Sequence, residues 1–304
     1  MCLFELIILG AGSATPVLNR FPSAQILNYN GNLSLIDCGE GTQWQLLKYK
    51  IKTSKINQIF ISHLHGDHYL GLMGLLSTIN FQDRKNPINL FAPHGLKEII
   101  ELQIKISDLK LAFEIVFHQT NPKQFEQIAA YEHLNVFTIP LKHRIDCTGF
   151  LFVEKNDQRT LDKQKIEGLN LQPNQLKALK QGNDIALNQQ KTIENKDLTT
   201  LKHNHRTYAY ISDTIFDPTM ATHIQNIDLL YHEATFMNEL TQRAAKTHHS
   251  TAAQAAQIAQ TANAKKLLIG HFSSRYLDLK PLLDEAKIHF ENTQLATEGQ
   301  TYTI

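Results

Sequence analysis

A short stretch in the first quarter of the chain concentrates side chains that bind metal ions. Residues 61–68 read Ile-Ser-His-Leu-His-Gly-Asp-His, which places three imidazoles and one carboxylate within six positions. Imidazole and carboxylate ligands suit zinc, manganese or iron. His63 and His65 alternate, so both can point the same way from the end of a strand. Together with Asp67 and His68 they make four ligand side chains, which is more than one short segment usually supplies to a single ion. The spacing therefore predicts two neighbouring ions.

The flanking sequence predicts the elements that position this stretch. The apolar run 56–61 predicts a strand, and the pattern over 69–79 predicts a helix. Strand-like and helix-like segments alternate through most of the chain, which indicates a layered α/β architecture. Residues 155–206 differ, because they are polar, helix-like in places and poor in β pattern. We expect one domain over 1–304, with 155–206 inserted as a protruding helical or irregular arm.

Three further predicted strands each end in a possible ligand. His143 follows the strand 136–141, Asp213 follows 208–211, and His271 follows 266–269. Each alone could be a capping or surface residue, but strand ends in α/β folds converge on one edge, where sites are built. We expect one ion to be held by His63, His65 and His143, and a second by Asp67, His68 and His271. Asp213 would bridge two ions that lie roughly 3.5–4 Å apart and share a hydroxide.

A two-metal centre without a thiolate ligand suits hydrolysis. The ions lower the pKa of a bound water toward ~7 and neutralise charge on an attacked phosphoryl or carbonyl group. Asp67 would be near enough to accept a proton from the hydroxide. Glu233, after the predicted strand 229–231, and a histidine at 248 or 249 would form an acid–base pair. The other interpretation of that pair is a helix cap with a buried polar contact.

The composition limits the class of protein. The chain has 304 residues, 42% of them hydrophobic, and a net charge of +1, so a nucleic-acid partner would have to be recognised by a local patch. Cys2, Cys38 and Cys147 are odd in number and widely spaced, which is typical of reduced thiols in a cytoplasmic protein. The N-terminus lacks the basic start of a signal peptide, and no apolar run approaches the length of a membrane span. We expect no membrane partner.

Four short motifs in the sequence resemble those of known protein families. The core Ser-His-Leu-His-Gly-Asp-His resembles the signature of the metallo-β-lactamase superfamily, which implies an αββα sandwich. Three further motifs make the resemblance more specific, namely His-Glu-Ala-Thr at 232–235, His-Ser-Thr at 249–251 and Gly-His-Phe-Ser-Ser-Arg-Tyr at 270–276. Together they are similar to the short, single-unit form of the ribonuclease Z family over essentially the whole chain.

That resemblance implies a function and roles for residues. The expected reaction is removal of the 3′ trailer from precursor tRNA by attack of a metal-bridged hydroxide on the phosphodiester, leaving a 3′-hydroxyl on the tRNA. The expected cofactor is Zn²⁺, two per subunit, and the expected assembly is a homodimer. Asp67 would be the proton acceptor. His249, and not His248, would be the leaving-group acid beside Glu233.

The resemblance further implies that 155–206 is a tRNA-binding arm, or exosite. The segment carries ten Lys and Arg against six Asp and Glu, a net charge of +4, which fits contacts to phosphates. The Gly-Pro pair frequent in the family's arm is absent, whereas Lys180 and Gly182 are present. We expect RNA contacts from Lys177, Lys180 and Gly182, and from Arg275 close to His271, with Ser273 beside it. The alternative for the segment is a solvated helical insertion.

Two other functions stay open at this point. A phosphodiesterase or arylsulfatase-type hydrolase of the same superfamily, acting on small molecules, would share the metal ligands. The arm and the pair formed by Glu233 and His249 distinguish it from a tRNA nuclease. A non-catalytic RNA-binding subunit is disfavoured, because all seven expected ligand positions are occupied by ligand residues.

Overall fold

Strands and helices alternate along the chain, as the sequence pattern predicts. The computed structural model describes residues 3–155, 159–188, 191–201 and 205–304. In that part of the chain the strands are β1 (Phe4–Gly10), β2 (Ala24–Tyr29), β3 (Asn32–Cys38), β4 (Ile56–Phe60), β5 (Ile88–Ala92), β6 (Ile115–Gln119), β7 (Gln127–Ala130), β8 (Leu134–Leu141), β9 (Cys147–Glu154), β10 (Arg159–Leu161), β11 (Ile185–Asn188), β12 (Lys191–Ile193), β13 (Thr199–Leu201), β14 (Thr207–Ile211), β15 (Leu229–Glu233), β16 (Lys266–Gly270), β17 (Thr293–Leu295) and β18 (Thr301–Thr303). The α-helices are α1 (Thr42–Lys48), α2 (Gly66–Tyr69), α3 (Leu72–Phe81), α4 (Leu96–Ile106), α5 (Lys163–Ile166), α6 (Pro173–Lys180), α7 (Asn195–Leu198), α8 (Thr241–Thr247), α9 (Ala252–Thr261) and α10 (Lys280–His289).

The first sheet has the strand order β18-β1-β2-β3-β4-β5-β6. Neighbouring strands from β18 to β3 in this order are antiparallel, and those from β3 to β6 are parallel. The β2–β3 hairpin turns at Asn30 and Gly31, whose φ angles are 50° and 84°. Positive φ at both central residues is what a type I′ turn requires. Leu46 of α1, Leu75 of α3 and Ile100 of α4 belong to one buried cluster with this sheet.

The second sheet has the order β17-β16-β15-β14-β9-β8-β7, and its strands from β14 to β17 run parallel. Helix α9 packs on β15 and β16, and α10 packs on α9 and β17. The alanine face of α9 is buried, which allows close approach to the sheet. Thr251 is the N-cap of α9, and its side chain forms a capping box with Gln254.

The two sheets pack face to face. The Phe60 ring of β4 lies 5.3 Å from the rings of both Phe150 and Phe152 on β9. The backbone amide of Thr148 donates to the carbonyl of Ser62 at 3.0 Å, which joins the sheets next to the metal-ligand motif. Helices cover the outer faces of both sheets, so the predicted αββα sandwich is confirmed.

The chain divides into two compact units. One comprises Met1–Ala129, Val136–Phe152 and Thr207–Ile304, and the other comprises Ala130–Asn135 and Val153–Arg206. The second unit has a small apolar core around Leu179, Ile185 and Leu198. It also contains two antiparallel ribbons, β10 with β13 and β11 with β12, which the sequence pattern of 155–206 does not predict. These strands are three or four residues long, too short for a two-residue period to be visible in the sequence.

The predicted helix over 69–79 is interrupted. Helix α2 ends at Tyr69 and α3 begins at Leu72, because the chain meets the end of β3 between them. The Gly71 amide donates to the Cys38 carbonyl at 2.9 Å. A Cβ atom at Gly71 would lie only 2.1 Å from the Gly39 carbonyl oxygen, so a glycine is required for this approach. The contact fixes α2 against β3.

Among the described residues, no helix has both the length and the apolar character that a membrane span requires.

Candidate metal centre and active site

The seven expected ligands lie at strand ends or in α2, and the structure brings them together. His63 and His65 follow β4, and Asp67 and His68 belong to the single turn of α2. The remaining three come after other strands, namely His143 after β8, Asp213 after β14 and His271 after β16. Their candidate ligand atoms fall into groups whose members lie within 4.8 Å of one another.

The first cluster comprises three imidazoles and one carboxylate oxygen. His65 Nδ1 lies 3.0 Å from His63 Nε2 and 3.1 Å from His143 Nε2. Asp213 Oδ2 lies 3.5 Å from His63 Nε2 and 3.7 Å from His143 Nε2. Ligand atoms that surround one zinc ion at about 2.0–2.2 Å in a tetrahedron lie about 3.3–3.6 Å apart. The cluster therefore has the dimensions of a coordination shell.

The second cluster lies on the other side of the same carboxylate. Asp67 Oδ2 lies 3.3 Å from His68 Nε2 and 3.2 Å from His271 Nε2. Asp213 Oδ1 lies 3.5 Å from His68 Nε2 and 3.2 Å from His271 Nε2. Asp213 thus directs one oxygen to each cluster, which is the arrangement of a bridging ligand.

Hydrogen bonds to the far ring nitrogens set the tautomers of two ligands. His143 Nδ1 donates to the His248 carbonyl at 2.9 Å. His271 Nδ1 lies 2.9 Å from Thr235 Oγ1, and that hydroxyl donates to Glu233 Oε2 at 2.5 Å, so it accepts from His271. A neutral imidazole protonated at Nδ1 presents its lone pair at Nε2. In both residues Nε2 is the atom that faces the cluster.

Asp37 is a buried carboxylate that the sequence pattern does not single out. Its Oδ2 accepts from His68 Nδ1 at 2.6 Å, Ser62 Oγ at 2.8 Å and the Tyr210 hydroxyl at 2.6 Å. Because the Ser62 hydroxyl donates to Asp37, it accepts from His63 Nδ1 at 3.0 Å. Asp37 therefore orients His63 and His68 together. Like the other site residues it lies at the end of a strand, which is the signal that could have identified it.

His68 provides a test of whether a metal fits. Its Nε2 is buried and makes no hydrogen bond within the described residues, although two carboxylate oxygens lie at 3.3 and 3.5 Å. Burial lowers the pKa of His68, but the carboxylates of Asp67, Asp213 and Asp37 outweigh it and raise that pKa well above the usual value. The centre therefore attracts positive charge. Its imidazole and carboxylate donors fit a divalent metal ion.

Glu233 and His249 form a hydrogen-bonded pair at the edge of the clusters. His249 Nδ1 donates to Glu233 Oε1 at 3.0 Å and lies 4.0 Å from Asp213 Oδ2. Burial lowers the pKa of His249, but the carboxylates of Glu233 and Asp213 raise it to about 9. His248, the other candidate, has a left-handed backbone (φ 58°) and uses its carbonyl to hold His143. The structure brings His249, and not His248, to Glu233.

A cleft of about 740 Å³ opens onto both clusters. Asp67, His249 and His271 line it, and its walls also carry hydroxyl groups, the carboxylate of Glu40 and three guanidinium groups, those of Arg144, Arg243 and Arg275. An anionic group such as a phosphodiester therefore meets positive charge around the centre.

The four expected RNA contacts separate between the two units. Lys177 and Lys180 lie exposed in the last turn of α6, in the second unit. Gly182 follows that helix with φ 85°, so the end of the helix itself requires a glycine. Arg275 lines the cleft of the first unit.

Relatives of known type span the whole chain. Ribonuclease Z from Cytophaga hutchinsonii is 48% identical over 99% of this chain and 96% of its own length. Ribonuclease Z from Bacteroides fragilis is 43% identical over 97% of each. The chain belongs to the ribonuclease Z family. The solved structure of the short form of human tRNase Z is 28% identical, covers 99% of both chains and superposes with a TM-score of 0.71.

A second comparison covers part of the chain. Residues 4–170 match the family model described as Anti-Pycsar protein Apyc1, which places the chain in that family through its first half. The match ends before Asp213, Glu233, His249 and His271. The small-molecule alternative is not favoured, because the ribonuclease Z relatives cover the complete site.

The hydrogen bonds of Asp37 generate a prediction. Substituting Asp37→Asn replaces an oxygen that accepts from Ser62, His68 and Tyr210 by an amide that donates, so the two imidazoles lose their fixed orientation. We expect the affinity for Zn²⁺ to fall about 10–100-fold, as for other residues that hold metal ligands. Competition with a chromogenic chelator measures it.

The matched control is Asp146→Asn, a substitution of an exposed aspartate. It should leave Zn²⁺ affinity unchanged. An Asp37→Asn variant with the affinity of the unmodified protein would show that Asp37 does not orient the ligands.

Proposed function

We propose that this protein is an endoribonuclease that removes the 3′ trailer from precursor tRNA and leaves a 3′-hydroxyl on the tRNA. The observation that carries the proposal is the pair of ligand clusters joined by Asp213, with Glu233 and His249 at their edge. The family supports it, since the curated relatives are ribonucleases Z and the human structural relative is a tRNase Z.

We propose two zinc ions as the cofactor. His63, His65 and His143 would hold one ion, Asp67, His68 and His271 the other, and Asp213 would bridge them. Imidazole and carboxylate donors without a thiolate are those of hydrolytic zinc centres. Bound there, the two ions supply an activated water at neutral pH and compensate charge on the phosphoryl group.

The residues of the chain supply the proton transfers. A product with a 3′-hydroxyl requires that the bond between phosphorus and the 3′-oxygen breaks and that this oxygen gains a proton. His249 would donate it, because its Nδ1 is hydrogen-bonded to Glu233 and the carboxylate of Glu233 raises the pKa of the ring. Burial raises the pKa of Asp67, but His68 and His271 hold it below its usual value, so Asp67 is a carboxylate that can accept a proton from the attacking water. Arg275 would contact the phosphate in the cleft.

Cleavage of a 3′-extended precursor tRNA, with the cut mapped, is the direct test. We expect a single cut that leaves a 3′-hydroxyl. Asp67→Ala should abolish cleavage while tRNA binding survives, and His249→Ala should slow cleavage about 10²–10⁴-fold, the usual contribution of a general acid. His94→Ala, which removes an exposed histidine of another pocket, is the matched control. Full activity in Asp67→Ala would contradict the mechanism.

We propose that residues 155–206 bind tRNA through exposed basic side chains. Lys177 and Lys180 support this, since both project from the last turn of α6. Replacing a lysine that binds a phosphate should weaken binding at every tRNA sequence and reduce the salt slope by about 1. We expect Lys177→Glu with Lys180→Glu to lower tRNA affinity and flatten its dependence on salt, as measured by filter binding.

The control for the change in charge alone is Lys105→Glu with Lys110→Glu. Both lysines are exposed; Lys105 lies in the last turn of α4 and Lys110 follows that helix. An arm variant that binds like this control would favour the alternative, in which 155–206 is a solvated insertion.

We propose a homodimer that associates through the outer face of α1. Trp44 is 65% exposed and Leu47 is 71% exposed, and both flank a groove of about 510 Å³. Exposed apolar patches with an aromatic residue are typical of protein interfaces. We expect Trp44→Glu with Leu47→Glu to sediment as a monomer. Ile288→Glu, at an apolar residue of α10 that is 79% exposed, should stay dimeric, and a dimeric double variant would contradict the interface.

We propose a reducing, cytoplasmic compartment. Cys38 and Cys147 are buried and form no disulfide within the described residues, and burial raises the pKa of Cys38 to about 12. Cys2 lies outside the described residues.

A further inference from the structure

Arg243 occupies a defined place beside the proposed leaving-group acid. Its guanidinium carbon lies 5.9 Å from the ring centroid of Phe236, and that ring lies 6.1 Å from the ring of His249. All three residues line the cleft. We refer to Phe236 and Arg243 together as the ledge.

The ledge is rigid underneath and open on its outer side. Phe236 is 5% exposed, and both of its backbone polar groups are hydrogen-bonded. Its amide donates to the Ser250 carbonyl at 3.4 Å, and its carbonyl accepts from the Ala252 amide at 2.9 Å. Arg243, on α8, is exposed. Among the described residues, no carboxylate lies within 4.0 Å of its guanidinium. The exposed guanidinium therefore lies over the Phe236 ring and is not held in an ion pair.

The proposed reaction decides which part of the substrate lies there. When the product keeps a 3′-hydroxyl, the oxygen that gains the proton belongs to the nucleotide on the 5′ side of the cut. His249 must reach that oxygen, so the ribose of this nucleotide lies next to His249. Because the Phe236 ring lies 6.1 Å from the His249 ring and 5.9 Å from the Arg243 guanidinium carbon, the base of this nucleotide can reach Phe236 and Arg243. This step rests on the proposed function.

We propose that the base on the 5′ side of the scissile bond stacks on Arg243, which is supported by Phe236, and that this contact positions the 3′-oxygen at His249. Unpaired RNA bases stack on aromatic rings and on guanidinium planes. Every base has a π face, so such a subsite requires a base but accepts any base. Arg243 is in this account a substrate-binding residue that positions the reacting oxygen and takes no part in proton transfer.

The test compares two substrates and two proteins. One precursor tRNA carries an ordinary nucleotide on the 5′ side of the cut, and the other carries an abasic site there. For the unmodified protein, we expect removal of the base to reduce kcat/KM about tenfold, the scale of one stacked base. Arg243→Ala should be slower by about the same factor on the ordinary substrate and by no more than about twofold further on the abasic one, because the partner is already absent.

A conservative variant separates stacking from charge. Arg243→Lys keeps the positive charge without the planar group, and should behave like Arg243→Ala. Recovery of the unmodified rate in Arg243→Lys would assign Arg243 to phosphate binding and overturn the stacking role. Lys246→Ala, an exposed residue of the same helix that does not line the cleft, is the matched control and should leave both rates unchanged.

The outcomes distinguish this inference from the proposed function. An unmodified protein that leaves the ordinary precursor uncut would overturn the proposed function. An unmodified protein that cuts it, together with an Arg243→Ala variant that is equally sensitive to removal of the base, would overturn the stacking role alone. Equal Zn²⁺ content in all variants verifies that the site is intact.

Discussion

The site depends on the buried carboxylate of Asp213. One of its oxygens faces three imidazoles and the other faces Asp67, His68 and His271. Burial alone raises the pKa of Asp213, but His271 and His68 hold it well below the usual value, so the group remains charged inside the protein. A buried charge is costly unless a partner compensates it. The carboxylates of Asp67, Asp213, Glu233 and Asp37, concentrated around five ligand histidines, therefore form a site whose charge and donor atoms suit divalent cations.

The surrounding fold determines how the ligands are presented. In four ligand imidazoles the ring nitrogen that points away from the cluster is hydrogen-bonded, and the partners are the Ser62 hydroxyl, Asp37, Thr235 and the His248 carbonyl. The other ring nitrogen then presents its lone pair to the cluster. Several of these positions have a left-handed backbone, among them Asp37 (φ 54°), His248 (φ 58°) and His271 (φ 56°). Non-glycine residues rarely adopt that conformation, and such strain is typical of functional sites. These hydrogen bonds and backbone angles together fix the orientation of the ligands.

The sequence predicts the part of this arrangement that is local. Ligand types at strand ends could be recognised, because the residues that define a strand end are neighbours in the chain. The strand-end position of Asp37 is visible in the sequence, but its role is not, because its partners Ser62, His68 and Tyr210 are 25, 31 and 173 residues away. The break between α2 and α3 depends on the distant contact of Gly71 with Gly39, and the choice between His248 and His249 depends on one backbone angle. Neither leaves a periodic signal. The strands β10 to β13 of the second unit could not be predicted either, because strands of three or four residues are too short for an alternating pattern to be recognised.

The most direct test of the central claim is a titration of metal-free protein with Zn²⁺, performed on the unmodified chain and on Asp213→Ala. If Asp213 joins two ligand clusters, the unmodified chain binds two ions, and Asp213→Ala weakens both binding steps because each ion loses one ligand. A stoichiometry of one ion per chain, or a variant in which one of the two steps is unchanged, would contradict the account.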